Sequence, residues 1–216
     1  MDEVTNRSVM SKRTRRGGPT REDKVVERGQ SLIEAALRVI ERKGLIGVTI
    51  SDIATEAGCA YGVVAFHFKS KEGIMLGVLD YMVEEYDRIL QWSKYETPEA
   101  RLKAMIDLDF DTKVSGAGRI AVFTAFWAEA ARNSEYSKRC AELKSRYDVA
   151  VMADVAALAE RYQVKLDSAL VARSLNALID GLWISSQVFG NTDTYGPISG
   201  RKACLLYLRS IFPACF

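Results

Sequence analysis

Apolar residues recur at intervals of three and four along most of the chain, the spacing that lines up one face of an α-helix, and little of it alternates as a strand would. Ile33, Ala36, Leu37 and Ile40 form one such stripe and predict a helix over 25–43 that stops before Gly44. Ile50, Ile53, Ala54 and Ala57 form a shorter stripe, preceded by Thr49 with Asp52 three residues on. That is an N-cap signature, in which a hydroxyl satisfies an orphan backbone N–H. Gly58 closes this helix, since glycine tolerates the left-handed backbone of a helix exit, and a short run from Tyr61 to Phe68 follows.

Leu79, Met82, Val83, Tyr86, Ile89 and Leu90 mark a long amphipathic helix over 72–94. Thr97-Pro98 reads as a cap with proline at the first helical position, opening a helix through Leu102, Met105 and Ile106. Ser115-Gly116-Ala117-Gly118 breaks it. Further helices are expected over 119–131, 134–162 and 167–189, then a loop to Pro197 and a last helix to about Ile211, the last two long and well capped. The fold class is therefore all-α, about nine helices, with a small N-terminal unit joined to a larger one.

Two short helices around a tight turn, 49–71, are a device for placing a helix in the DNA major groove. Pattern alone leaves a helical hairpin of the core equally open. The net charge of +2 hides a bias toward the N-terminus. Residues 1–28 carry eight Lys and Arg against five Asp and Glu, an excess of three. Ser11 to Thr20 has no apolar face, so residues 1–24 read as a flexible basic arm able to lie along phosphates or to remain solvated.

Composition narrows the classes further. No apolar run approaches the roughly 20 residues a membrane span needs, and no apolar segment follows the N-terminal basic residues as in a signal peptide. Cys59, Cys140, Cys204 and Cys215 are scattered, and His67 is the single histidine, so no structural zinc spacing exists and a reducing cytoplasm fits. Small-residue packing is the expectation for Cys59. Asp107, Asp109 and Asp111 alternate like the opening of a calcium loop, but Thr112 and Gly118 stand where glycine and glutamate are needed. Gly116 to Ala121 matches a relaxed dinucleotide fingerprint without the preceding strand, so it reads as a helix break. Nothing sets a nucleophile beside a base and an orienting group; neither metal, cofactor nor catalytic residue is expected.

Gly44, Thr49-Ile50, Ile53-Ala54, Ala57-Gly58, Gly62, His67-Phe68 and Ser70-Lys71-Glu72, followed by Ile74-Met75-Leu76, resemble the DNA-binding domain of the TetR family of bacterial transcriptional regulators. The resemblance implies a helix-turn-helix domain over 25–71 and a ligand-binding and dimerisation domain over 72–216. It implies DNA contacts from Thr49, Ala60, Tyr61, Gly62, Ala65, Phe66, His67 and Lys71. Gly62 permits close backbone approach to phosphate, His67 donates to a phosphate oxygen, and Lys71 acts as a point charge. Where family members often carry Ser or Thr, this chain has Ala60, and Ala65 and Phe66 stand at family tyrosines. Ala65 and Val63 are left to touch thymine methyls and Tyr61 to offer a hydroxyl.

Ala125-Phe126-Trp127-Ala128 and Leu178-Ile179-Asp180-Gly181-Leu182-Trp183 further resemble the effector domain of the choline-sensing repressors of glycine-betaine synthesis. Phe123, Phe126, Trp127 and Tyr147 are candidate walls for a small-molecule effector, aromatic faces being suited to a quaternary ammonium. Leu175, Leu178, Leu182, Leu205 and Leu208 are candidate contacts of a homodimer built from the last two helices. The implied function is a homodimeric repressor that binds a palindromic double-stranded operator and is released by an effector. A helical small-molecule-binding protein that has lost DNA binding is the alternative, encouraged by the missing hydroxyls.

Overall fold

The computed structural model describes residues 20–216. Among these residues nine α-helices and one short 3-10 turn account for all the regular structure. They are α1 (Arg21–Gly47), α2 (Ile50–Glu56), α3 (Tyr61–His67), α4 (Lys71–Leu90), α5 (Pro98–Asp109), α6 (Ala117–Ala130), α7 (Ser134–Arg161), α8 (Ser168–Phe189) and α9 (Pro197–Ile211). The 3-10 turn, Trp92–Lys94, follows α4.

Local chemistry explains most of these limits. Thr20 and Asp23 make a reciprocal capping box, so α1 begins earlier than its apolar stripe. Residues 21–24, assigned to the arm on sequence, are thus the first turn of a helix; the rest of the arm, 1–19, lies outside the described residues. Gly44 adopts φ 75°, which interrupts α1 where the sequence placed its end. Thr49 and Asp52 form a second capping box, and Gly58 takes φ 60° in the turn between α2 and α3. Helix α4 ends at Leu90, four residues short of expectation, because Gln91 turns left-handed at φ 44°. Asp167 caps α8 as expected, whereas α9 follows Gly196 with no side-chain cap, contrary to expectation.

Apolar burial falls into two connected cores. The first joins α1–α4 to Val122 and Phe126 of α6 and to Tyr136 and Leu143 of α7. The second joins Leu90 to α5 and to α6–α9. Helix α1 packs along α6, and α6, α7 and α8 pack against one another. Fully buried side chains such as Leu32, Ile53, Ile74, Leu102 and Leu158 are each worth roughly 2–3 kcal/mol of transfer free energy.

Polar clamps hold the helices in register. Arg38 and Arg42 of α1 both reach Glu56 of α2, at 2.8 and 2.6 Å. The guanidinium of Arg101 on α5 pairs with the nearly buried Asp154 of α7 at 2.5 Å and donates to the Tyr95 carbonyl at 2.9 Å.

Three site assignments made from sequence fail at this level. Phe126 is fully buried between the two domains, edge-on to Tyr136 with ring centroids 5.3 Å apart, so it is a core residue and no ligand wall. Leu175 and Leu208 have no exposed surface within the subunit, which leaves them nothing to offer a partner. The leucine pattern could not separate these inward positions from outward ones, because α8 is apolar on both faces.

Candidate DNA-reading face and effector cavity

Val64 pins α3 to the first core with no exposed surface, and the residues around it point outward. Tyr61, Gly62, Ala65 and Phe66 are all exposed, Phe66 at 77%. A β-carbon added at Gly62 would meet nothing within 4 Å. Packing inside the chain therefore does not demand glycine there, although glycine costs a helix about 1 kcal/mol relative to alanine. Ala60 contributes no side-chain cap.

The other expected contacts are partly engaged within the chain. The Thr49 hydroxyl accepts from the Asp52 amide at 3.1 Å and donates to its carboxylate at 2.8 Å. Lys71 donates to the Ile46 carbonyl at 3.1 Å, tying the start of α4 to the end of α1. His67 is half-buried, edge-on to Phe66 at 5.4 Å. Cys59 is half-buried against the first core.

A cavity of about 110 Å³ opens in the second domain between α4, α5, α6, α7 and α8. Of the residues expected to form it, Phe123, Trp127 and Tyr147 line it and Phe126 does not. Phe123, Trp127 and Trp183 form one aromatic wall: the two indoles lie 10° from parallel at 6.5 Å, and Phe123 stacks on Trp183 at 6.1 Å. Tyr86 and Tyr147 meet edge-on at 5.5 Å, the Tyr147 hydroxyl donating to Asp87 at 3.0 Å. Burial raises both phenols above their ordinary range.

Charged groups also face this space. Lys144 pairs with Asp180 at 2.7 Å, and Arg119 with Glu85 at 2.5 Å. Asp109 is 6% exposed and accepts from the Tyr86 hydroxyl at 2.8 Å. Burial pushes its carboxyl up to about 7, against the opposing pull of Tyr86 and Lys144. Its main-chain carbonyl accepts from the Trp183 indole at 2.9 Å. The three aspartates that alternate in sequence serve separate ends: Asp107 pairs with Arg201, and Asp111 accepts from the Lys113 amide at 2.7 Å. No cluster able to hold a metal occurs among the described residues.

Sequence reasoning missed Asp109, Tyr86 and Trp183 as cavity residues. A signal existed for the first: Leu102, Met105, Ile106 and Asp109 share one helical stripe, which places the carboxylate on the buried face.

An exposed short helix presented by a capped helix-turn-helix, joined by one long helix to a domain with an internal cavity, defines a ligand-accessible DNA-binding regulator. The C-terminal part matches the family described as "BetI-type transcriptional repressor, C-terminal" over residues 98–213, and residues 32–78 match "Bacterial regulatory proteins, tetR family". The chain belongs to the TetR family of bacterial transcriptional regulators, with a C-terminal domain of the BetI type. A curated relative, the HTH-type transcriptional regulator BetI of Serratia proteamaculans, is 28% identical over 167 residues, covering 76% of this chain and 82% of its own. Its relatives are transcriptional regulators rather than enzymes. The fold is shared with a TetR regulator from Haloarcula marismortui (TM-score 0.78, 19% identity, covering 86% of this chain and 98% of that one). It is also shared with a putative regulator from Saccharomonospora viridis solved in complex with choline (TM-score 0.75, 24% identity, 85% and 96% covered).

Proposed function

We propose that this chain is a homodimeric repressor whose α3 helices read a palindromic operator and whose DNA affinity is lowered by a small molecule bound in the α4–α8 cavity. The observation that carries the reading is the outward face of α3. Tyr61, Gly62, Ala65 and Phe66 have no packing task in the chain, and Gly62 leaves room for close backbone approach to phosphate. The excess of Lys and Arg near the start of the sequence would add to the attraction for phosphate. A DNA partner supports a cytoplasmic location. No described helix is long and apolar enough to cross a membrane.

A second subunit is supported by the outer surface of α8 and α9. Leu170, Ala177, Gly181, Ile184 and Val188 form one exposed stripe on α8, joined by Ile198 and Leu206 on α9. Leu178, Leu182 and Leu205 are half-buried at its margin. A β-carbon at Gly181 would meet nothing within 4 Å of its own subunit, so this mid-helix glycine suits close approach of a helix from another. The two α3 helices must then sit about 34–36 Å apart to reach successive major grooves.

Helix α4 runs from Lys71, beside α3, to the cavity wall at Leu79, Met82, Val83 and Tyr86. Helix α6 contributes Ile120, Phe123 and Trp127 to the cavity while Gly118 lies against Glu41 of α1. A ligand that favours one arrangement of α4 and α6 would therefore change the spacing of the reading helices, to the extent of its differential affinity for the two states. The test is a mobility-shift assay on the promoter beside the chain's own gene, at fixed salt. Sequence-specific retardation by the free protein supports the reading. Ligand binding without any DNA binding would favour the small-molecule-binding alternative instead.

A further inference from the structure

We infer that the effector cavity is built for a small protonated amine, its N–H donating to Asp109 and its apolar body lying against Phe123, Trp127 and Trp183. The inference rests on the cavity being the effector site, as proposed above. It starts from the polar side chains in the lining and their partners. Lys144 is matched by Asp180 at 2.7 Å and Arg119 by Glu85 at 2.5 Å. Asn176 donates to Asp148 at 2.6 Å, Tyr147 to Asp87 at 3.0 Å, and Ser115 to the Leu108 carbonyl at 3.1 Å.

Asp109 is the exception. Its Oδ1 accepts from Tyr86, but no described group donates to Oδ2, and no cation pairs with it. A carboxylate that is 6% exposed and lines a cavity with one oxygen unclaimed is a place for a charged donor. An anion would meet the uncompensated carboxylate, and a neutral body would leave its charge buried without a counter-charge.

The groups facing Asp109 from the surrounding helices sharpen the choice. Tyr86 approaches from α4, Lys144 from α7, Asp180 from α8 and Cys204 from α9. Lys144 already has its carboxylate, and Tyr86 is a neutral donor. Burial favours the protonated carboxyl, and an ammonium beside it reverses that preference by supplying both charge and donor. The parallel indoles of Trp127 and Trp183 offer ring faces for the rest of the molecule. A quaternary ammonium satisfies the rings but has no N–H for Oδ2.

Isothermal titration of the full-length dimer with benzylamine, benzyl alcohol, benzoate and choline tests this near neutral pH. Benzylamine should bind about 10- to 100-fold more tightly than the near-isosteric alcohol, the usual range for a hydrogen bond to a charged group. Benzoate and choline should be weaker than benzylamine. In Asp109→Asn the amine should fall to the affinity of the alcohol, whose own binding should hardly change. Alcohol, benzoate or choline binding as tightly as the amine would overturn the inference. So would an amine preference that survives Asp109→Asn, or no binding of benzylamine at millimolar concentration. The matched ligands on the unaltered protein keep the test valid even if the variant fails to fold. Operator retardation by the ligand-free protein reports separately on the regulator reading.

Discussion

Replacing Asp109 by asparagine is expected to make the protein more stable in mild alkali and to leave it nearly unchanged at about pH 4. The side chain is buried, and burial moves its carboxyl from 3.8 to about 7. The folded chain therefore holds this proton to a higher pH than the unfolded chain does. The stabilisation that the proton represents is complete below about pH 4 and is lost as pH rises through about 7. A shift of roughly three units corresponds to a ceiling of about 4 kcal/mol, at 1.36 kcal/mol per unit. The side chain lines a cavity that water can enter, so about half of that, near 2 kcal/mol, is the expected difference. Asparagine keeps an acceptor for the Tyr86 hydroxyl and cannot ionise. Urea unfolding of both proteins at equal protomer concentration, from about pH 4 to about pH 8, measures the effect. The variant should come close to the parent near pH 4, pull ahead steadily as pH rises, and exceed it by about 2 kcal/mol near pH 8, or by about 4–8 °C in thermal melts. A difference that does not grow with pH would refute the argument that burial governs this carboxyl.

Other outcomes follow from single contacts. Phe66→Ala should leave thermal stability within about 0.5 kcal/mol, the side chain being 77% exposed, while weakening operator retardation; unchanged DNA binding would remove Phe66 from the reading face. Leu206→Glu on the outer stripe of α9 should yield a monomer in sedimentation or gel filtration that has lost operator affinity, and a dimer that persists would place the interface elsewhere. Asp154→Ala strands the Arg101 guanidinium and should destabilise by about 3–5 kcal/mol in urea titration. Gly181→Ala should strengthen α8 by about 1 kcal/mol in a monomer, so a weaker dimer in sedimentation would locate the close helix crossing there.

Much of the helical layout was legible because local rules act within a few residues. The Thr49–Asp52 capping box and Gly58 at φ 60° delimit α2 through side-chain and backbone preferences that depend on little else. The outward residues of α3 were legible too, though by family likeness more than by pattern. The early start of α1 at the Thr20–Asp23 box is equally local in sequence, but its polar first turn adds nothing to the apolar stripe. Helix α4 was read too long, since nothing in the local pattern announces that Gln91 turns left-handed.

The amino-acid order alone determined that the chain is a set of amphipathic helices with a capped reading pair near its start. Each of those facts rests on neighbours within about one helical turn. Tertiary structure decided which apolar face meets which. Phe126 and Phe123 lie three residues apart on α6, yet one seals the junction between the domains and the other lines the cavity. Leu175 and Ile184 are both apolar residues of α8, but one is core and the other surface. The surroundings of Asp109 at the cavity arise the same way, from Tyr86, Trp183 and Lys144 brought to it by three other helices. Periodicity reports that a face is buried; only the packing of distant segments tells what it is buried against.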